Sequence, residues 1–284
     1  MNTMRSAMLA GLLGGALLLP ATTAAAATTG ILAVPKGYTI VTAFLDAPTG
    51  KQTHGSVTCP GKEQPSGGGA FIEHDDLADN INSSYPSGQS WDVDINNVSG
   101  SDTTYYVFAV CLAFSAGYTV VSSSFPGTVG DDTASWAVTC PADTKVVGGG
   151  AVSNSSSTAV DIDSTVPNQL TGGHTAWRVA ISSSDAMQSD FQVYAVCRPK
   201  PAGYSIQFGS PVLAGPDRET DASVNCPGAS VVIGGGGFAS FATADDAIDM
   251  NSSWPTGSSQ WAIAENDGET IGRDIEAAVV CAGT

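Results

Sequence analysis

The feature that most constrains the fold is a segment repeated three times along the chain. Each copy opens with Gly-Tyr and then has a Cys-Pro pair, at Cys59, Cys140 and Cys226. In every copy a glycine run starts eight residues after this cysteine, and a tryptophan stands 20 residues before a second cysteine. Unrelated segments would not keep both spacings three times. The sequence therefore predicts three copies of one structural module.

The predicted divisions of the chain follow from this repeat. The copies occupy residues 37–113, 114–201 and 202–284 and are preceded by an N-terminal extension at 28–36. Residues 1–27 have the pattern of a secretory signal peptide, with one charge, an apolar stretch too short to span a bilayer, a proline and an alanine run. We therefore expect a secreted, extracellular protein.

The six cysteines favour disulfides over metal or redox chemistry, because an exported chain meets an oxidising compartment and no Cys-x-x-Cys is present. The simplest pairing is one bridge in each copy, each closing a loop of about 50 residues and contributing about 4 kcal/mol. A cyclic pairing between neighbouring copies is the alternative. The predicted pairs are Cys59 with Cys111, Cys140 with Cys197, and Cys226 with Cys281.

The hydrophobic pattern within a copy has the period of a β-strand. Residues 91–96 and 177–182 alternate between apolar and polar, and no amphipathic helix is found beyond the signal peptide. The linkers at 112–116 and 198–202 are too short for independent tumbling. We expect an all-β protein of three tandem, disulfide-bridged modules, each sandwich-like or prism-like. They pack as a pseudo-threefold body or, alternatively, as a bent row.

The charge of the chain excludes several classes of partner. With 27 acidic and 10 basic residues, the formal net charge is −17. Such a surface repels nucleic acid and anionic lipid, so we expect neither nucleic-acid binding nor membrane insertion. A neutral polymer, a cationic partner, a divalent cation or no partner at all remain compatible, and the charge could also serve solubility alone.

The glycine runs and the tryptophans favour structural interpretations. No Lys-Ser/Thr follows the glycines, so a phosphate loop is excluded, and glycine within a strand more often marks a close approach of two backbones. We expect the three runs to meet near an interface between modules. The tryptophans at 91, 177 and 261 are expected in the core, with a ligand platform as the alternative.

The strand that precedes a proline in each copy supplies the candidate ligand-binding residues. Its polar positions alternate with apolar ones and are predicted to face outward together, beside an aromatic residue in two copies. Amides and acids next to an aromatic ring suit a shallow sugar site, whereas a merely solvated edge strand is the alternative. The candidates are Asn80, Asn82, Tyr85, Asp161, Asp163, Asp249, Asn251 and Trp254.

Catalytic and metal sites find little support in the sequence. The acid-rich stretches 74–79 and 245–249 offer oxygens for calcium but match no EF-hand spacing, so solvated loops are the simpler interpretation. The histidines at 54, 74 and 174 occupy non-equivalent positions, and no catalytic motif is present. We therefore predict no catalytic residues, no metal, no cofactor and no enzymatic activity.

The order Gly-Tyr, Cys-Pro, Gly-Gly-Gly, Ser-x-Pro, Trp, Cys resembles β repeat modules of secreted actinobacterial proteins and of phage tail ends. The resemblance covers residues 37–281 and implies assembly or surface attachment. We expect a non-enzymatic protein, monomeric with internal pseudo-symmetry, that binds an extracellular surface or polymer multivalently, with a glycan as one candidate. A structural envelope or matrix protein without a ligand is the alternative, and a secreted hydrolase or inhibitor is a weaker one.

Overall fold

The computed structural model describes residues 37–127, 132–185, 190–240, 248–268 and 272–283. The predicted signal peptide and N-terminal extension lie outside these ranges. The described residues form β-strands and one short 3-10 turn at Thr171–Gly173, with no α-helix among them. The all-β prediction is confirmed.

The strands follow the three copies. The first copy contains β1 to β6, at Tyr38–Ala47, Lys51–Thr58, Gln64–Ile72, Asp79–Ser87, Ser90–Asn97 and Thr103–Leu112. The second contains β7 to β12, at Thr119–Phe125, Asp132–Thr139, Thr144–Ser153, Val160–Gln169, Thr175–Ser183 and Phe191–Pro199. The third contains β13 to β19, at Ser205–Phe208, Val212–Ala214, Arg218–Asn225, Val231–Ala239, Ile248–Pro255, Gln260–Asp267 and Arg273–Ala282.

Each copy divides its strands between two sheets, and each sheet is shared by two copies. Sheet I has the order β1-β6-β3-β17-β18-β15 and joins the first copy to the third. Sheet II, β2-β5-β4-β9-β12-β7, joins the first to the second, and sheet III, β13-β19-β16-β10-β11-β8 with β14 beside β19, joins the second to the third. No sheet belongs to one copy alone, and each copy contributes strands to two sheets. Threefold pseudo-symmetry of the body stays a prediction.

The two halves of every sheet meet at a seam, defined here as the pairing of β3 with β17 in sheet I, β4 with β9 in sheet II, and β10 with β16 in sheet III. Each seam is short, because one residue pair in each is in ladder register: Ser253 with Ala70, Ser84 with Ala151, and Thr165 with Gly237. The copies nevertheless belong to one compact unit. Contacts between copies therefore extend beyond the ladder hydrogen bonds.

The first glycine of each run explains how the copies can approach one another. A Cβ on Gly67 would lie 2.5 Å from the Cα of Gly234, and one on Gly148 would lie 3.0 Å from the Cα of Gly67. One on Gly234 would lie 3.2 Å from the Cα of Gly148, which closes the ring of contacts. Any side chain would separate these backbones, so the predicted meeting of the three runs at an interface is confirmed.

The other glycines of each run receive the tryptophan and the neighbouring copy. The second glycines, Gly68, Gly149 and Gly235, lie against the indole rings of Trp91, Trp177 and Trp261 of their own copies. The third glycines lie against backbone carbonyls of the adjoining copy at the seams. Each glycine run therefore lies between the tryptophan of its own copy and the backbone of the adjoining copy.

The three repeated tryptophans, Trp91, Trp177 and Trp261, lie fully in the core, as predicted, with 0 % of their surface exposed. Each indole Nε1 donates a hydrogen bond within its own copy, to Ser84 at 3.0 Å, Thr165 at 2.8 Å or Ser253 at 3.0 Å. A buried indole N–H needs such an acceptor. The acceptors are also the residues at the seams, so each tryptophan supports the strand that meets the next copy.

One disulfide closes each copy, as predicted. The pairs are Cys59–Cys111, Cys140–Cys197 and Cys226–Cys281, with Cα–Cα distances of 5.6, 5.7 and 5.7 Å. The cyclic pairing between neighbouring copies is excluded. In each pair the first cysteine directly follows a strand of one sheet and the second lies in a strand of another, so each bridge links two sheets.

Candidate functional site

The predicted polar site residues do not face outward. Asn80, Asn82, Asp161, Asp163 and Asn251 are at most 7 % exposed, and Asp249 is half-buried. The outward orientation was therefore wrong. The physical reason is that their strands, β4, β10 and β17, are inner strands, each paired with its own copy on one side and with another copy on the other. These three strands also contact one another.

A β-bulge recurs at the same place in each of these strands. The register shifts between Ile81 and Ser83, between Ile162 and Ser164, and between Met250 and Ser252. The skipped residues are Asn82, Asp163 and Asn251, which are the extra residues of the bulges. We call the region where β4, β10 and β17 meet the junction. It contains Asn80, Asn82, Asp161, Asp163, Asp249 and Asn251.

Amide side chains tie the copies together at the junction. Asn82 of the first copy donates from Nδ2 to the carbonyl of Val160 of the second copy at 2.6 Å. Asn251 of the third copy donates to the carbonyl of Asp79 of the first at 3.0 Å. These hydrogen bonds satisfy backbone carbonyls at the first residues of β10 and β4. These asparagines therefore stabilise the contacts between copies.

The junction also concentrates carboxyl groups. One oxygen each of Asp161, Asp163 and Asp249 lies within 4.8 Å of the others, close enough to share a cation. The hydroxyl oxygen of Ser182 lies 2.7 Å from a carboxyl oxygen of Asp161 and 2.7 Å from one of Asp163, and its single proton is donated to one of the two. Burial, followed by the charges of Asp161 and Asp163, raises the pKa of Asp249 well above its ordinary value. A carboxyl in this setting holds a proton or a cation more firmly than one in water.

Each of the two aromatic candidates contacts a ring of another copy across a seam. The Tyr85 ring lies 5.6 Å from that of Tyr194 in sheet II, and the Trp254 ring lies 4.8 Å from that of Phe71 in sheet I. Both are half-buried, whereas Val166 at the same position of the second copy is buried. The predicted proximity of these rings to a shared polar face is not observed.

Sequence reasoning missed an array of rings on the outer face of sheet I. Phe44, Tyr106, Phe71 and Trp254 lie side by side on the adjacent strands β1, β6, β3 and β17, and we call them the aromatic row. Successive ring centroids are 4.9, 6.5 and 4.8 Å apart. Phe44 is 57 % exposed, and the other three are half-exposed. Phe108 extends the row, 6.2 Å from Tyr106.

Polar groups border the aromatic row. Thr42 and Asp46 are exposed and flank Phe44 on the same face of β1. Thr104 donates a hydrogen bond to the carboxylate of Glu73 on the neighbouring chain segment. The face therefore combines a stripe of rings with hydroxyl and carboxylate groups at its margin.

The outer faces of the other two sheets differ from this one. Sheet II has the pair Tyr85 and Tyr194, and sheet III has Phe208 and Phe238 at 6.4 Å beside a groove of about 160 Å³. That groove is lined in part by Val166 and Arg178. Among the residues that the structure describes, a row of four neighbouring rings on an outer sheet face occurs on sheet I alone.

Comparison of the chain with protein-family models and with curated proteins gives no match. In the described ranges, no helix is both long and apolar enough to cross a membrane. A functional assignment therefore depends on the geometry of the molecule.

Proposed function

We propose that this protein binds the surface of a neutral extracellular polysaccharide through the aromatic row of sheet I. The observation that carries the proposal is the placement of four aromatic side chains on four adjacent strands. Strands in a sheet lie about 4.8 Å apart, so the row is about 15 Å long. A binding face of this length contacts several sugar units of one chain.

The chemistry of the face suits a sugar polymer. Aromatic rings pack against the apolar C–H faces of sugar rings, and hydroxyl and carboxylate groups at the margin accept or donate hydrogen bonds to sugar hydroxyls. Thr42, Asp46 and Thr104 are placed for the second task. The mixture of rings with few polar groups is typical of sites for such ligands.

The charge of the chain supports a neutral polymer over an anionic one. A formal net charge of −17 repels sulfated or uronic polysaccharides at ordinary salt. The predicted signal peptide and the disulfides support a location in which such polymers occur. The proposal keeps the extracellular polymer expected from the sequence and moves the site from three equivalent strands to one face.

The test is co-sedimentation with insoluble chitin and cellulose, and affinity electrophoresis with soluble neutral glucans. We expect retention of the natural protein on at least one polymer. Phe44→Ala combined with Trp254→Ala should weaken that binding by about tenfold or more, because each lost ring contact contributes about 1 kcal/mol. Tyr194→Ala removes a ring from sheet II and is the matched control, expected to bind normally.

Two results would contradict the proposal: undiminished binding by the double variant, or no retention on any of these polymers. Size-exclusion chromatography of both proteins distinguishes a further possibility, in which the row pairs two copies of the chain. A dimer that the double variant converts to a monomer would replace the polysaccharide with a second copy as the occupant.

The second candidate function is that of a structural envelope or matrix protein without a ligand. It is supported by the burial of the junction residues, because side chains expected to contact a ligand instead join the copies. Failure of the natural protein to bind any polymer while remaining monomeric would favour this function.

A further inference from the structure

The second copy has a longer connection between its inner strand and its tryptophan strand than the other two copies have. Pro167 and Trp177 are 10 positions apart. The equivalent pairs, Pro86 with Trp91 and Pro255 with Trp261, are 5 and 6 positions apart. The added residues form the 3-10 turn, and the amide of Leu170 donates to the carbonyl of His174 at 2.9 Å to close it. Packing of the copies does not need this insertion, and surface loops are where proteins often place binding groups.

The inserted turn forms one wall of a cavity between the second and third copies. The cavity has a volume of about 330 Å³, at the lower end of the range for small-molecule sites. Lys145 and the turn line it on the second copy, Lys200 lines it from the linker, and residues 204–206 line it on the third copy. The hydroxyl of Tyr204 donates to the carbonyl of Val146 at 2.9 Å, which joins the two walls.

Basic side chains are concentrated at this cavity although the chain as a whole is acidic. Lys145, His174 and Lys200 line it, and the described residues of its lining include no acid. The whole chain has 10 Lys and Arg residues against 27 acidic ones, so this lining differs from the average surface. Within the described ranges neither lysine forms an ion pair with an acid. The cavity therefore attracts an anion.

The three basic residues of the cavity are not part of the repeated framework. Their positions can be counted from the repeated cysteines and tryptophans of each copy. Lys145 corresponds to Gln64 and Val231, His174 to Gly88 and Ser258, and Lys200 to Phe114 and Thr284. A residue needed for the fold of every copy would recur, as the glycines and tryptophans do. The basic lining is therefore specific to the second copy, like the inserted turn.

The hydrogen-bond donors of the cavity suit an oxyanion. The ammonium group of Lys145 donates to the carbonyl of Gly173, which holds it at the turn, and it has two further protons. The His174 ring offers an N–H in either of its protonation states. Ser205 also lines the cavity, and its hydroxyl forms no hydrogen bond within the protein. Several donors therefore surround one space.

We propose that this cavity binds a phosphate ester of about the size of one sugar phosphate, with Lys145, Lys200 and His174 as donors to the phosphate oxygens. A phosphate monoester carries a charge of about −1.5 to −2 at neutral pH, which two ammonium groups balance. A carboxylate carries half of that charge, and its planar shape is matched best by arginine, which the described lining does not contain. The remaining volume, beside Gln169 and Tyr204, holds the rest of the ligand.

The net charge of the chain does not prevent this binding. A net charge of −17 opposes an extended polyanion, whose charges lie along much of the acidic surface. One small anion responds mainly to charges within about 8–10 Å at physiological salt. The site is also independent of the aromatic row, which lies on strands of the first and third copies and shares no residue with the cavity.

The experiment is calorimetric titration of the full mature chain at neutral pH with glucose 6-phosphate, glucuronate or glucose. We expect saturable binding of one glucose 6-phosphate per chain that weakens as sodium chloride is added. Glucuronate should bind at least about tenfold more weakly, and glucose should not bind, because one ion pair or both are lost.

Lys145→Gln installs the residue that the first copy carries and should weaken the binding of glucose 6-phosphate about tenfold, because a hydrogen bond to a charged oxygen is lost. Lys200→Gln, at an exposed position, should do the same without altering the unfolding temperature. Lys62→Gln removes one charge from an exposed position of the first copy and is the matched control, expected to bind normally.

Three results would overturn the proposal: no saturable binding of glucose 6-phosphate, unchanged affinity in Lys200→Gln and in the double variant with Lys145→Gln, or equal affinity for glucuronate. Inorganic phosphate is the last probe. Weaker binding of inorganic phosphate than of glucose 6-phosphate is expected, whereas equal binding would replace the ester with the free anion as the ligand.

Discussion

The buried junction and the outer sheet faces follow different rules. Where the glycine runs of the three copies meet beside the junction, equivalent positions hold the same residue, as at Gly67, Gly148 and Gly234. On the outer faces they diverge: the position of Tyr106 in sheet I corresponds to Gln192 in sheet II. Residues that are the same in all three copies therefore allow the copies to pack against one another. Residues that differ between copies are the ones that can give one sheet face a function of its own.

Several positions depart from this rule inside the junction, because Asp161 and Asp249 stand where the first copy has Asn80, and Ser182 stands where the other copies have Asn96 and Asn266. Asp163 stands where the other two copies have asparagine, and it lies among buried groups where such a change is costly without compensation. A departure from the repeat among buried groups is more informative than a difference on the surface.

The largest effect should follow removal of a disulfide from the repeated framework. Changing Cys140 and Cys197 to alanine should lower the free energy of unfolding by about 4 kcal/mol, because the unfolded chain regains the entropy of a closed loop. Chemical denaturation under oxidising conditions measures this. A loss below about 1 kcal/mol would show that the second copy is held by its neighbours rather than by its own bridge.

A somewhat smaller loss is expected from Gly148→Ala. The added methyl would overlap the Ser66 carbonyl and the Gly67 Cα of the first copy, and backbone atoms cannot move aside without opening the junction. We expect about 3 kcal/mol of destabilisation by the same measurement. Gly257→Ala is the control, because nothing lies within 4 Å of a Cβ there. If the two variants were equally stable, the close contacts among Gly67, Gly148 and Gly234 would not be needed for packing of the copies.

Tyr106→Gln tests the outer face with the residue that the second copy carries there. We expect the stability of the fold to change by less than about 0.5 kcal/mol, because the side chain projects outward. Affinity for a retained polysaccharide should fall about fivefold, since the row loses one of its two central rings and each ring contact contributes about 1 kcal/mol. The measurement is the depletion isotherm on that polymer. Normal affinity in this variant would show that the polysaccharide does not bind at the aromatic row.

A further effect concerns pH at the margin of sheet I. Burial, followed by the charges of Asp75, Asp221 and Asp79, raises the pKa of Glu219 to about 8. The folded protein therefore holds a proton that the unfolded chain releases near pH 4.5, so this group makes stability fall as pH rises from about 4.5 to about 8. Glu219→Gln should flatten that decline in thermal unfolding scans recorded in EDTA. A slope unchanged by the substitution would assign it to other carboxyls.

Much of the framework could be predicted from the sequence because it depends on local spacing. The equal distances between Trp and Cys in the three copies led to the disulfide pairs and the buried tryptophans. The glycine runs predicted that backbones of different copies approach one another closely. These inferences hold within one copy and need no knowledge of its neighbours.

The orientation of the polar strands could not be predicted in the same way. Alternation shows that Asn80 and Asn82 share a face, but it does not say whether that face meets solvent or another copy. The answer depends on the pairing of β4 with β9, which belongs to a different repeat. The aromatic row is subject to the same restriction, because Trp254 reaches Phe71 only through the pairing of β17 with β3.

The central claim is that three copies share their sheets and fold as one body. Differential scanning calorimetry of the full mature chain, with its disulfides intact, tests this most directly. The account predicts a single transition whose calorimetric and van't Hoff enthalpies agree, with a ratio of about one. Two or three resolved transitions, or a calorimetric enthalpy about threefold larger than the van't Hoff value, would mean that the copies unfold independently and would contradict it.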